Sequence, residues 1–294
     1  MARWLITGAG GQFGSVLLRT LVRDGQDAVG TLSIHGPTPM VGACRRMDLG
    51  NADAIAEVVR KNRPSMIVHA GAITSIQAAY EDPERTRRVN VAATTALLEL
   101  AEECRARLVF TSTDLVFDGS AAPYAENAPP SPLSIYGRSK AEAEGIVASY
   151  SCGAVIRLAL MYGLAAADRP TTFHSQLDAL RNGRTLSLFM DEYRTPIWLE
   201  DAAVAARRVA ESDYAGILHV AGPQRLSRLE MGWIAARAMG VSAEHIVATR
   251  QSEMQTPEPR PADVSLSCER FITHFGQAPG RPMAEAMAEM VTDG

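Results

Sequence analysis

The fold is decided by the stretch RWLITGAGGQFGSVLLRTLV, which occupies residues 3–22. It begins as a short apolar strand, turns through glycines and continues with the apolar spacing of an amphipathic helix. Glycines at such a turn let backbone N–H groups at the helix N-terminus approach a pyrophosphate. The stretch therefore predicts dinucleotide binding, and the alternative is a purely structural glycine turn. The residues predicted to contact the cofactor are Gly8, Gly11, Gln12, Phe13 and Gly14.

Strand-like and helical patterns continue to alternate after this unit. That rhythm predicts an α/β protein whose sheet is parallel, doubly wound and covered by helices on both faces, as in a Rossmann fold. The predicted elements are strands at 28–32, 47–49, 66–69 and 107–110, helices at 53–62, 83–105 and 136–150, and a loop over 118–134.

The end of the second strand bears on the choice of cofactor. An NAD-binding domain usually offers a carboxylate to the ribose there, but this strand ends Thr31-Leu32-Ser33-Ile34-His35. A 2′-phosphate would not be repelled, so NADPH is favoured and NADH is the alternative. The residues that could contact the phosphate are Ser33, His35, Arg45 and Arg46, although each arginine could equally be a solvated surface residue.

Small residues and hydroxyls follow two further strands. Ala70, Gly71 and Ala72 come after the fourth strand, where small side chains allow a cofactor to approach the backbone. His69 before them is interpreted as a satisfied strand-end histidine. The fifth strand leads into Thr111-Ser112-Thr113-Asp114, whose hydroxyls suit a substrate carbonyl but could also simply cap the strand end.

Tyr136 and Lys140 are spaced to share one face of a helix. A nearby ammonium favours the phenolate, so we expect a lowered tyrosine pKa and a general acid/base pair. The chain has seven tyrosines and two lysines, which scattered at random would give about 0.05 such matches. An ordinary surface pair is the alternative interpretation.

These motifs together resemble the extended short-chain dehydrogenases/reductases, and within them the dTDP-4-dehydrorhamnose reductases and their relatives. The resemblance covers essentially the whole chain. The features that carry it are Gly8-x-x-Gly11-x-x-Gly14, Asp48-Leu49, His69-Ala70-Gly71-Ala72, Asn90, Ser112-Thr113-Asp114-Leu115-Val116-Phe117-Asp118-Gly119 and Tyr136-x-x-x-Lys140.

The resemblance implies roles for several residues. It implies a catalytic triad of Thr113, Tyr136 and Lys140, and a substrate site that includes Asp114, Leu160 and Arg260. It also implies a Rossmann domain over 1–162 plus 192–220 and a smaller C-terminal substrate lobe over 163–191 plus 221–294. The cofactor contacts that it adds are Asp48, Leu49, Asn90, Tyr136 and Lys140.

Two departures from the family pattern bear on the substrate. Leu160 stands where rhamnose reductases usually offer a tryptophan to the deoxysugar, and Gln77 replaces an aspartate. The substrate expected by resemblance is a nucleotide-linked 4-keto-6-deoxy sugar, reduced by an NAD(P)H-dependent oxidoreductase. The alternative substrates are another 4-keto sugar nucleotide or a less sugar-like compound. The alternative functions are a sugar-nucleotide epimerase or dehydratase, and an NADP-binding regulatory subunit resembling the methionine adenosyltransferase beta subunit.

Composition and cysteine spacing bear on the expected partners, metal content and location of the protein. The net charge of −4 with dispersed cations indicates neither nucleic acid nor membrane as a partner, and no apolar stretch is long enough to span a bilayer. The four cysteines lack metal-ligand and disulfide-framework spacing, and the chain enters its first strand at once, so a cytoplasmic location and no metal are expected. Long amphipathic helices could pair in a homodimer.

Overall fold

The structure is a computed structural model that describes residues 3–167 and 171–292. Its strands are β1 (Arg3–Thr7), β2 (Asp27–Leu32), β3 (Ala43–Arg46), β4 (Met66–His69), β5 (Arg107–Thr113), β6 (Gly153–Leu158), β7 (Met161–Tyr162), β8 (Leu186–Phe189), β9 (Tyr193–Arg194), β10 (Ile197–Trp198), β11 (Gly216–Val220), β12 (Leu226–Ser227) and β13 (Ile246–Thr249).

The α-helices connect these strands. They are α1 (Gln12–Arg23), α2 (Ala52–Asn62), α3 (Ile76–Glu81), α4 (Pro83–Arg87), α5 (Ala93–Cys104), α6 (Ile135–Ala148), α7 (Thr172–Arg181), α8 (Leu199–Glu211), α9 (Arg228–Ala238), α10 (Glu269–Phe275) and α11 (Met283–Thr292). A π-helical segment, Arg88–Ala92, joins α4 to α5, and short 3-10 segments occur at Asp114–Val116 and Gln251–Glu253. None of the helices in the described ranges has the length and apolarity needed to cross a bilayer.

Seven strands form one parallel sheet in the order β11-β6-β5-β4-β1-β2-β3. Because all seven run the same way, their carboxyl ends share one edge, and the strand order reverses beside β1. Such a reversal opens a crevice for ligands at that edge. The predicted doubly wound Rossmann sheet is confirmed.

Alternate residues of β1 bury their side chains on opposite faces of the sheet. Trp4 and Ile6 pack with α1 and α8 in one apolar core, whereas Leu5 packs with α2, α5 and α6 in a second. A strand that is buried on both faces lies in the middle of a parallel sheet. The continuous apolar run at the start of the chain therefore fixes β1 at the centre.

Two elements differ from the sequence prediction. The third strand ends at Arg46 and not at residues 47–49, because the Asp48 carboxylate accepts a hydrogen bond from the Gly50 N–H at 2.8 Å and turns the chain. The predicted helix over 83–105 contains the π-helical segment at Arg88–Ala92. A single apolar period cannot show this extra residue in a turn.

Smaller sheets and a separate core occupy the C-terminal part of the chain. The pairs β7–β10 and β8–β13 are parallel, and β9–β12 is antiparallel. Leu177, Met231 and Met287 share a core away from the large sheet, whereas Phe271 of α10 packs in the large-sheet core. The predicted boundaries of the two lobes remain a prediction, and α10 lies against the larger one.

Candidate active site

A cavity of about 850 Å³ runs along the carboxyl edge of the sheet and reaches the smaller lobe. The glycine turn, helix α6 with Tyr136, and a group of arginines from the C-terminal part of the chain all line it. These arginines are Arg194, Arg228 and Arg260. The predicted site residues that line it are Gly8, Gly11, Gln12, Phe13, Gly14, Ser33, Asp48, Leu49, Ala70, Gly71, Ala72, Thr113, Asp114, Tyr136, Lys140, Leu160 and Arg260. Asn90 does not line it, and neither do three of the candidate phosphate contacts, His35, Arg45 and Arg46.

The glycine turn is packed too tightly for side chains. Gly8 has a φ of 71°, and a Cβ atom there would lie 2.6 Å from the Cα atom of Gly71. A Cβ atom on Gly14 would lie 2.3 Å from the Gly8 carbonyl oxygen. These contacts bring β1, α1 and the segment after β4 together at one end of the cavity.

The N-terminus of helix α1 lines the cavity and presents backbone N–H groups to it. Its N-cap residue is Gly11, and no side chain caps it in the described part of the chain. The first N–H groups of an α-helix lack partners inside the helix, and the helix dipole favours an anion there. The turn therefore fits the pyrophosphate of a dinucleotide.

The end expected to hold the adenosine is formed by β2 and the segment after β3. Of the four residues proposed for a 2′-phosphate, Ser33 lines the cavity, whereas His35, Arg45 and Arg46 do not. The Arg46 guanidinium donates to the carbonyl oxygens of Ser33 and Gly36 at 2.7 Å and 2.6 Å. Arg46 thus holds the turn that carries Ser33.

Thr113, Tyr136 and Lys140 converge at the middle of the cavity. Thr113 ends β5, and the other two lie one turn apart on α6, whose N-terminus is capped by Ser134 accepting from the Gly137 N–H at 3.0 Å. All three are buried. The Thr113 hydroxyl donates to the Asp114 carboxylate at 3.2 Å. A carbonyl oxygen placed against the hydroxyls of Thr113 and Tyr136 would complete the arrangement.

The expected lowering of the Tyr136 pKa is wrong. Burial raises the pKa of Tyr136 to about 12, against the opposing effect of the Thr113 hydroxyl. Helical spacing indicated that a cation is near but not that the phenol loses its water. At neutral pH, Tyr136 therefore carries its proton and is a donor.

Burial also shifts the pKa of Lys140. Its ammonium nitrogen lies 3.9 Å from the centre of the Phe110 ring. Burial lowers the pKa of Lys140 to about 7, and the Glu144 carboxylate opposes this shift. The lysine is thus divided between charged and neutral forms near physiological pH.

Asn90 and His69 organise the wall beside the triad. Asn90 accepts from the Ile73 N–H at 2.8 Å and donates to the Ser139 hydroxyl at 2.9 Å, so it ties the segment after β4 to α6. His69 Nδ1 lies 2.7 Å from the Thr7 hydroxyl, and Nε2 lies 3.2 Å from that of Thr94. Burial lowers the pKa of His69 to about 3, which confirms it as a neutral, satisfied histidine.

The far end of the cavity contains a charged cluster that the sequence did not reveal. Glu192 is buried, and its carboxylate lies 3.4 Å from Arg194, 3.3 Å from Arg228 and 2.7 Å from Arg260. All four residues line the cavity. Three guanidinium groups around one carboxylate leave a positive surplus, which favours an anionic group on a ligand.

Polar groups beside Thr113 complete this end. The Ser112 hydroxyl and one Asp114 carboxylate oxygen are buried and have no hydrogen-bond partner within residues 3–167 and 171–292. Burial raises the pKa of Asp114, and the Arg194 guanidinium, 3.9 Å away, opposes this shift. Unpartnered buried groups in a cavity are available to a polar substrate. Leu160 adds an apolar wall.

Two known proteins are similar to this chain over most of its length. It is 27% identical over 276 residues to methionine adenosyltransferase 2 subunit beta of Danio rerio, covering 92% of this chain and 84% of the relative. It is 28% identical over 297 residues to a probable dTDP-4,6-dihydroxy-2-methyloxan-3-one 4-ketoreductase of Streptomyces antibioticus, covering 99% and 95%.

The fold matches a solved enzyme of the expected group. The dTDP-4-dehydrorhamnose reductase of Bacillus anthracis, solved with NADP, superposes with a TM-score of 0.87 at 21% identity, covering 100% of this chain and 99% of that one. The sequence profile of the RmlD substrate binding domain matches residues 2–294. The resemblance inferred from the motifs is confirmed, and this chain belongs to the RmlD substrate binding domain family.

Proposed function

We propose that this protein is an NAD(P)H-dependent reductase of a keto group, with a nucleotide-linked 4-keto-6-deoxy sugar as its substrate. The observation that carries the proposal is the single cavity joining the glycine turn, the Thr113–Tyr136–Lys140 group and the Glu192 arginine cluster. A dinucleotide, a reacting carbonyl and an anionic substrate each find matching groups there. The ketoreductase relative of Streptomyces antibioticus supports the same reaction class.

The chain's own residues would bind the ketone and move one proton. Tyr136 donates its proton to the carbonyl oxygen, because a phenol with a raised pKa is protonated at neutral pH. Thr113 holds that oxygen through its hydroxyl. Lys140, when charged, stabilises the phenolate that remains and can hydrogen-bond to ribose hydroxyls. The nicotinamide, when bound, supplies the hydride that the carbonyl carbon receives.

NADPH is the proposed cofactor and NADH the alternative. In the described residues that line the adenosine end, Ser33 offers a donor and no carboxylate stands at the end of β2. The expected contacts to the rest of the cofactor come from the glycine turn, the Ala70–Ala72 segment, Tyr136 and Lys140.

We expect cofactor affinity to fall as pH rises through about 7, where Lys140 loses its proton. The sign follows from the charged form being the hydrogen-bond donor to the ribose. Lys140→Met should weaken binding roughly 10- to 100-fold below this pH and flatten the pH dependence. Fluorescence titration with NADH tests this, since NADH lacks a titrating 2′-phosphate. A Lys61→Met variant is the control, and an equally steep pH dependence in Lys140→Met would contradict the assignment.

A second candidate is an NADP-binding regulatory subunit. The observation that favours it is the similarity to methionine adenosyltransferase 2 subunit beta, together with Leu160 in place of a sugar-stacking aromatic residue. A binding protein may retain the three catalytic residues. Co-purification with a larger enzyme whose activity changes on binding would support this candidate.

Nicotinamide absorbance distinguishes the reductase from the regulatory subunit. It also distinguishes the reductase from an epimerase or dehydratase, which returns the hydride to its substrate and consumes no cofactor. The protein is incubated with NADPH or NADH and a panel of nucleotide-linked 4-keto sugars and simple ketones. A reductase oxidises one cofactor for each ketone reduced. Binding of NADPH with no net oxidation across the panel would contradict the proposed reductase.

A further inference from the structure

A buried ion pair lies one helical turn beyond Lys140 and outside the cavity. The Glu144 carboxylate accepts from two nitrogens of Arg157, at 2.9 Å from Nε and 2.7 Å from Nη2. Glu144 is 3% exposed and Arg157 is 1% exposed. Burying two charges costs free energy, and such a pair often stabilises a fold no better than apolar residues would. Its presence therefore needs another explanation.

Arg157 extends the pair into a network across the sheet. Its Nη1 donates to the Glu126 carbonyl oxygen at 3.4 Å and lies 3.4 Å from His219 Nε2. His219 Nδ1 lies 3.0 Å from the Ser267 carbonyl oxygen and must donate to it. Burial, together with the charge of Arg157, lowers the pKa of His219 to about 3, so Nε2 is a free acceptor. The network joins α6, β6, β11 and the segment before α10.

The helix connects this network to the cavity. Lys140 and Glu144 are four residues apart on α6, the arrangement in which helical side chains face each other. The other groups around Lys140 give its ammonium little compensation: His69 of β4 is neutral, Phe110 of β5 offers its ring, and Tyr136 is protonated. Glu144 is the carboxylate that acts on Lys140.

We propose that the buried Glu144–Arg157 pair acts on Lys140 from one helical turn away and favours the charged form of its ammonium. Arg157 orients the Glu144 carboxylate through two hydrogen bonds, and Glu144 offsets the loss of hydration at Lys140. Both are positioning residues, since neither lines the cavity. The catalytic meaning of this inference rests on the proposed function, but the charge of Lys140 can be measured without any substrate.

The charge of Lys140 can be measured directly by NMR, because Lys61 and Lys140 are the only lysines in the sequence. Protein labelled with ε-¹³C lysine gives two ε-methylene signals, and Lys61→Arg assigns them. In the native protein, we expect the Lys140 signal to titrate near neutral pH. In Glu144→Gln, the Lys140 midpoint should move to lower pH, and the Lys61 signal is the internal comparison.

The matched control is Glu142→Gln. Glu142 lies on the same helix and pairs with Arg87 at 2.6 Å, but on the exposed face. Its loss should leave the Lys140 midpoint unchanged. If Glu144→Gln fails to fold, the double variant Glu144→Met/Arg157→Met removes both charges and leaves neither unpaired. The same downward shift is expected there.

An unchanged Lys140 midpoint in a folded Glu144→Gln or double variant would overturn the proposal. Equal shifts in Glu144→Gln and Glu142→Gln would overturn it as well, because the effect would then be a general one of helix charge. The proposed function fails separately: native protein that oxidises no cofactor with any ketone would contradict the reductase, whatever the lysine titration shows.

Discussion

Tyr136→Phe is expected to lower the rate of ketone reduction roughly 100- to 10,000-fold and to change NADPH affinity far less. The substitution removes one hydroxyl, and with it the proton donor that the raised pKa keeps protonated at neutral pH. Thr113 remains to bind the carbonyl oxygen through its hydroxyl at the end of β5. Turnover and fluorescence titration of NADPH measure the two effects separately.

Tyr162→Phe is the matched control for this loss. Tyr162 is also buried, its hydroxyl has no hydrogen-bond partner among the described residues, and it packs in the core of the smaller lobe. Removing an unpartnered hydroxyl from such a place should leave activity unchanged. Full activity in Tyr136→Phe with a substrate that the native protein reduces would show that another group supplies the proton.

The second large effect is expected from Gly8→Ala, which should weaken NADPH binding roughly tenfold or more. The φ of 71° at Gly8 disfavours any side chain, and the added Cβ atom would lie 2.6 Å from the Cα atom of Gly71. One of the two backbone segments must move, and both line the cofactor end of the cavity. Fluorescence titration of NADPH measures the change.

Gly25→Ala separates the effect of backbone strain from the effect of the close contact with Gly71. Gly25 has nearly the same φ, 72°, but nothing lies within 4 Å of an added Cβ atom. We expect it to lower the free energy of unfolding by about 1–2 kcal/mol through backbone strain alone and to leave NADPH affinity intact. NADPH binding that is equal in Gly8→Ala and in the native protein would contradict the assignment of the glycine turn to the cofactor.

Short-range patterns predicted the fold well because its decisive features are local. The β1 strand, the glycine turn and α1 are continuous in sequence, and the spacing of Tyr136 and Lys140 is a property of one helix. The end of β3 was less predictable, since a turn made by the Asp48 side chain stops it. The π-helical segment contains Asn90, whose side chain is hydrogen-bonded to Ile73 and Ser139, which are distant in sequence.

The charged end of the cavity could not be predicted for a similar reason. Glu192, Arg228 and Arg260 are separated by more than thirty residues each and meet only when the smaller lobe folds. The segment before Pro196 contained a signal, because three charged residues, Asp191, Glu192 and Arg194, lie close together in it. The Tyr136 pKa was mispredicted since proximity follows from spacing, whereas burial depends on the whole cavity.

The reaction proposed for this chain is hydride transfer to a ketone with Tyr136 as the proton donor. The most direct measurement uses NADPH deuterated at the reactive carbon of its nicotinamide, with a nucleotide-linked 4-keto sugar as the acceptor. Mass spectrometry of the product should show one deuterium on the new alcohol carbon for each cofactor oxidised, and almost none in Tyr136→Phe. Tight NADPH binding with no deuterium in any acceptor would contradict the claim and favour a regulatory protein.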